Sequence, residues 1–327
     1  MPLQKKTIMM KHFLLLAVIT VFVIPAFAQW GDNDLTFNSA DPGFGNGDGP
    51  SSYVYATVVQ NDGKILIGGS FFSYNGDNKS CVTRINSDGS SDASFISGGA
   101  NSTVYTIVVQ PDEKIIVGGA FTYFNGTPKN RIVRLNSDGS FDPAFNQGTG
   151  ANGSIYSVSL QSDGKIIITG NFTEYNGISV SRLARINTDG SLDITFDTGT
   201  GANNDVYASL ILSSGKILIG GSFTDYNGTA VNRIVMLNND GSIDNTFNPG
   251  TGANNTVYSF GVQTSGKFII GGAFSTFNGT TVNYITRLNS DGSIDGSFGS
   301  GSGTDGAIRN INVRNDDYIF VGGLFST

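Results

Sequence analysis

The chain has 327 residues, a net charge of −7, only 14% charged residues, 45 glycines, one cysteine and one histidine. An acidic chain is poorly suited to phosphate backbones or anionic lipid surfaces. Cys81 alone makes no internal disulfide, and His12 lies in the leader described next, leaving no Ser-His-Asp, Cys-His or His-bearing zinc arrangement downstream.

Residues 1–28 read as a secretory signal peptide. Lys5, Lys6 and Lys11 flank an apolar run from Phe13 to Ile24, followed by Pro25-Ala26-Phe27-Ala28. A basic start, a short apolar stretch and an A-x-A site define such a leader, and the run is short of the ~20 residues that span a bilayer. Cleavage after Ala28 is expected, which predicts a secreted or cell-surface protein with no membrane attachment. The leader holds three of the 19 basic residues and none of the 26 acids, so the remainder is more acidic than the whole.

Residues 29–53 are rich in Gly, Asp and Asn. Asp34-Leu35-Thr36-Phe37-Asn38 resembles Asp244-Asn245-Thr246-Phe247-Asn248, the tail of a repeat. This segment is therefore expected to supply a closing strand.

From Val54 onward the chain repeats every 50 or 51 residues, in units 54–103, 104–154, 155–205, 206–256 and 257–307, with a partial unit 308–327. A fixed period outranks length as a guide to architecture. The second unit shows the plan. Val104 to Gln110 alternates, with Val104, Thr106 and Val108 on one face and Tyr105, Ile107 and Val109 on the other, as in a largely buried strand. Pro111-Asp112-Glu113 is a turn, and Lys114 to Val117 is a second strand ending in Gly118-Gly119, where glycines mark a bend or a close backbone approach. Phe124-Asn125-Gly126 is a loop, Arg131 to Asn136 a third strand, Ser137-Asp138-Gly139-Ser140 a hairpin turn, and Asp142 to Phe145 a short fourth strand. No stretch carries a helical stripe. A unit this thin cannot bury both faces alone, so the expected fold is all-β: a β-propeller of four-stranded antiparallel blades, five full and a sixth split or incomplete. The sixth stops before its third strand, so the intact ring is expected to hold six, seven or more blades.

The pattern Val104-Tyr105, Gln110, Lys114-Ile115, Gly118-Gly119, Phe121, Phe124-Asn125-Gly126, Arg131, Arg134-Leu135-Asn136, Asp138-Gly139-Ser140, Asp142 and Phe145 recurs almost unchanged in five copies. It resembles the delta-60 repeat family, also described as a propeller domain of unknown function. Departures are few: Met236 for the second Arg, Cys81 or Tyr284 for the first, Thr169 for a glycine. The resemblance implies an exported bacterial propeller and brings no catalytic residues.

Three sets of repeated residues are candidate sites. The loop aromatics Tyr74, Phe124, Tyr175, Tyr226 and Phe277 would either ring one rim and bind a glycan or peptide, or plug the gaps between blades. The carboxylate pairs Asp88/Asp92, Asp138/Asp142, Asp189/Asp193, Asp240/Asp244 and Asp291/Asp295 would either hold Ca²⁺ or serve the turns. The Arg pairs, such as Arg131/Arg134, would bind anions or tie blades together. Every acid pair is a repeat copy, whereas a catalytic pair should break the symmetry. The expected function is therefore a non-catalytic binding or scaffold module for an extracellular protein or glycan, without nucleic acid. The alternatives are a carbohydrate-active or lyase-type enzyme on the blade loops and a structural adhesin or surface-layer segment.

Overall fold

The computed structural model describes residues 37, 49–299, 301 and 303–326. The chain divides after Leu35 into two units, and all of these residues belong to the second. The leader and the expected closing strand lie outside them, except Phe37, an exposed turn residue.

Five successive blades and the first two strands of a sixth follow. Their first strands are Val54–Val59, Val104–Val109, Ile155–Leu160, Val206–Ile211, Val257–Val262 and Ile308–Val313. In blade two the second strand is Ile115–Gly119 and the third Ile132–Leu135, with the second strand between the other two and all pairing antiparallel. A two-residue ribbon, Tyr123–Phe124 against Thr127–Pro128, closes on Asn125 (φ 47°) and Gly126 (φ 73°). Paired positive φ values make the type I′ hairpin that Asn-Gly favours. The fourth segment differs from expectation. It pairs through one bridge, Leu135 to Phe141, and then turns so that Asp142 accepts from the Phe145 amide.

The double glycine has two separate causes. A Cβ on Gly119 would lie 2.2 Å from the Thr103 carbonyl oxygen of its own blade. A Cβ on Gly118 would lie 2.7 Å from Thr106 and 3.0 Å from Ile155 in the next blade. The second glycine thus admits a backbone, and the first admits the neighbouring blade, as the sequence pattern suggested.

Close packing at Gly119 coincides with a bulge between Val104 and Thr106. The bulge overturns the simple alternation expected for this strand. Tyr105 is the extra residue and leaves the face it would share with Ile107 and Val109. The same irregularity recurs in the first strand of blades one, three, four, five and six.

Burial comes from stacking. The cluster of Leu66, Cys81 and Val82 from blade one contains Val104, Ile107 and Ile115 from blade two. Val104 is fully buried, whereas its blade-one counterpart Val54 is 37% exposed. The difference is the preceding blade, which among the described residues only Val104 has.

Candidate functional site

The loop aromatics are plugs rather than a binding rim. Tyr74 is 3% exposed, and Phe124, Tyr175, Tyr226 and Phe277 are wholly buried. Each bridges to the linker that precedes its blade, for example Ala100 to Phe124 and Ala151 to Tyr175. The phenol groups of Tyr175 and Tyr226 donate to the carbonyls of Gly190 and Gly241 at 2.8 and 2.9 Å, and that of Tyr74 to Gly89 at 2.6 Å. A ring enclosed on all sides offers no face to a ligand, so this set is withdrawn as a site.

The carboxylate pairs separate into two jobs. Asp88, Asp138, Asp189, Asp240 and Asp291 each accept from the serine two residues on, through its amide and its hydroxyl, which stabilises the hairpin turn. The second members face inward. Asp92 Oδ2 accepts from Arg84 Nε at 2.6 Å and Lys64 Nζ at 3.0 Å, while Oδ1 accepts from Ser94. Asp142, Asp193 and Asp295 repeat this with Lys114 and Arg134, Lys165 and Arg185, and Lys267 and Arg287. Asp244 has Lys216 alone, because Met236 replaces the arginine. Burial by itself would raise the Asp92 carboxyl, but hydrogen bonds from Ser94, Lys64 and Arg84 hold it well below the usual range.

These residues do not fit Ca²⁺. Calcium takes 6 to 8 oxygens, and cations already lie against each inner carboxylate. Among the described residues no three metal-ligating side chains come together. The metal reading of Asp88, Asp92 and their copies gives way to turn and ion-pair chemistry.

The repeated arginines tie blades together. Arg134 stacks over Phe145 at 4.9 Å and reaches the Thr188 carbonyl in blade three. Arg84 and Arg185 make the same reach to Ser137 and Asn239. Arg131, at φ 68°, donates to the Ala120 carbonyl beside its own strand.

A different set of residues forms a continuous surface feature. The bulge residues Tyr55, Tyr105, Tyr156, Tyr207 and Tyr258 stand in one row across five blades. Consecutive ring centroids are 5.5, 5.3, 5.0 and 5.2 Å apart. Tyr156 and Tyr207 are stacked at 20°, and the other pairs meet edge to face. Arg309 ends the row, 3.9 Å over the Tyr258 ring, a cation–π contact. Tyr55 is exposed and the other four are half-buried. The bulge causes the row: it turns one residue per blade out of the packed faces.

The row is polar along its edge. Asn171 donates to the Tyr156 hydroxyl at 2.9 Å, and the Tyr207 hydroxyl donates to Asp205 at 3.3 Å. Burial first, and then the charge of Asp205, push the phenols of Tyr156 and Tyr207 up, so both stay neutral near pH 7. Neutral phenols give and accept hydrogen bonds without serving as bases. A Val-Tyr or Ile-Tyr dipeptide carried this signal at the same period as the plugs, but nothing in strand alternation marks a bulge.

A family model described as "domain of unknown function (DUF5122) beta-propeller" matches five segments: 60–95, 110–145, 161–196, 212–247 and 263–298. No curated protein matches the sequence. Among solved structures, the WD40 β-propeller domain of Doa1 is similar with a TM-score of 0.54 and 14% identity over 83% of this chain and 75% of that one. A gluconolactonase from Xanthomonas campestris is similar with a TM-score of 0.48 and 13% identity, covering 85% of this chain and 84% of that one. PorZ, a surface component of the type-IX secretion system of Porphyromonas gingivalis, is similar with a TM-score of 0.46 and 13% identity, covering 84% of this chain and 39% of that one.

Proposed function

The chain belongs to the DUF5122 β-propeller family, and on that fold we propose a non-catalytic binding module that acts outside the cell. Its ligand is an extended protein segment lying along the tyrosine row. One observation carries this reading: a row of rings, each 5.0 to 5.5 Å from the next, that runs from blade to blade and ends on a cation. Tyrosine gives apolar contact and hydrogen bonds at low entropic cost, which is why it concentrates at interfaces. The acidic Asp205 and the basic Arg309 lie at different points along the row, and a polypeptide of mixed charge answers both. The signal-like leader supports action outside the cell.

Non-catalytic action is supported by the chemistry of the side chains. The chain has no histidine after His12, and each inner Asp is held by a lysine, an arginine or both. The test is an array of extended peptides of mixed charge beside a panel of glycans and lactones, with the protein purified from residue 29 onward. Peptide binding lost in Tyr156→Ala supports the reading. Turnover of any panel member, or peptide binding indifferent to the row, overturns it.

A further inference from the structure

We propose that an open pocket at the far end of the first strands, where the turns of blades two, three and four meet, binds a neutral saccharide whose hydroxyls donate to Gln110 and Gln161. The pocket has a volume of about 610 Å³, within the range of small-ligand sites. Its walls come from three consecutive blades: Gln110, then Leu160 and Gln161, then Ile211 and Leu212.

The observation that points to a ligand is a pair of amide oxygens. Gln110 and Gln161 are 9% and 8% exposed, and the Oε1 atom of each is buried without a hydrogen-bond partner. In blades one and five the equivalent oxygens are satisfied: Gln60 accepts from Arg84 Nη1 at 3.5 Å and Gln263 from Arg287 Nη1 at 3.1 Å. In blades two and three Arg134 and Arg185 reach Thr188 and Asn239 without also bonding the glutamine, whereas Arg84 makes both contacts, to Ser137 and to Gln60. A buried acceptor left empty is costly, and two of them in adjacent blades on one pocket call for a donor from outside. The terminal torsion of glutamine is soft, which lets an arriving donor draw the Gln110 oxygen toward the pocket, while the Gln161 amide is already oriented by its Nε2 donation to Asn239 Oδ1 at 2.6 Å.

Blade four completes the site by breaking the repeat twice. Leu212 replaces the glutamine and Met236 replaces the arginine. Leu212 packs on the cluster that contains Met236. An apolar pair thus stands where a polar pair stands in the other full blades, and Leu160 and Ile211 extend the same wall. Apolar wall opposite amide acceptors matches a sugar, whose C–H face is apolar and whose rim is hydroxyl. Charge selects a neutral one. Asp163 is the only ionisable side chain on the lining, and its Oδ1 accepts the Lys165 amide within its own turn.

The test is saturation-transfer NMR of the protein from residue 29 onward. Probes are glucose, galactose, mannose, N-acetylglucosamine and their linear tetrasaccharides, with galacturonate and glucosamine as charged controls. Wild type is expected to bind at least one neutral probe. Gln110→Leu/Gln161→Leu is expected to weaken it by about tenfold or more, as loss of two hydrogen bonds implies. Ser213→Trp, at an exposed turn position on the pocket wall, blocks the same binding without touching the core. Binding of no neutral probe, binding of charged sugars alone, or full affinity in either variant overturns the proposal. The tyrosine row is untouched by these variants, so the two readings stand or fall separately.

Discussion

Arg134 of blade two donates from Nη1 to the carbonyl of Thr188 in blade three at 2.5 Å, while its Nε holds Asp142 at 2.7 Å. Both side chains of the ion pair are almost wholly buried, 6% and 4% exposed. One guanidinium thus joins the third strand, the turn after it and the neighbouring blade, and it does so over the Phe145 ring. The same contact ties blade one to blade two through Arg84 and Ser137, and blade three to blade four through Arg185 and Asn239.

The two partners should not be equally dispensable. Asp142→Leu leaves Arg134 and Lys114 facing each other with no anion between them and is expected to cost about 3–5 kcal/mol, as for other broken buried pairs. Arg134→Met recreates what blade four already holds, with Lys114 still on Asp142 at 3.2 Å, and is expected to cost about 1–3 kcal/mol, the value of charged hydrogen bonds. Urea unfolding midpoints rank them. An equal or reversed order would show that the arginine, not the carboxylate, is the centre of the contact.

Acid should unfold the protein in a defined window. The folded carboxyls of Asp92 and Asp193 are held well below their ordinary range by their Lys and Arg partners and hydroxyl donors, despite burial. A depressed folded pKa adds stability that is fully present above the unfolded value near ~4 and is lost as pH falls through it toward the folded value. The melting temperature is therefore expected to be flat from about pH 7 to pH 5 and to drop steadily below about pH 4. A rise on acidification contradicts this.

Glu113 sits at φ 64°, where blades one, three, four and five place Gly63, Gly164, Gly215 and Gly266. A side chain in that region costs about 1–2 kcal/mol, and glycine returns part of this as unfolded-state entropy. Glu113→Gly is expected to stabilise by about 0.5–1 kcal/mol, read from the unfolding midpoint. Loss of stability would show that the Asn61 contact to Glu113 across the blade boundary outweighs the strain.

Thr169 replaces the first glycine of blade three, is fully buried, and leaves its Oγ1 without a partner. Thr169→Val keeps the shape and removes the orphaned hydroxyl, so a gain of about 1 kcal/mol is expected. A loss of similar size would place an ordered water on Oγ1.

The architecture was readable because each blade obeys the same local rules. The starts of all six first strands, the Asn-Gly hairpins and the double glycines follow from turn chemistry and spacing. The candidate site was much less so. Tyr175 and Tyr105 recur at the same period, and both are aromatic. Only packing separates the plug, enclosed by its preceding linker, from the row, turned outward by a bulge. Likewise Asp88 and Asp92 look like a pair in sequence, yet one serves a turn and the other meets a lysine and an arginine brought from strands 28 and 8 residues away. That the amide oxygens of Gln110 and Gln161 lack a donor while those of Gln60 and Gln263 have one rests on side-chain placement, which no spacing reveals.

The row is tested most directly by titrating a peptide from the array into wild type and Tyr105→Ala/Tyr156→Ala by calorimetry, with melting curves confirming that the double variant is folded. Central aromatic anchors each carry about 2 kcal/mol or more of binding energy, so the dissociation constant is expected to rise at least about thirtyfold. An unchanged dissociation constant in the folded double variant would contradict the tyrosine row as the binding surface.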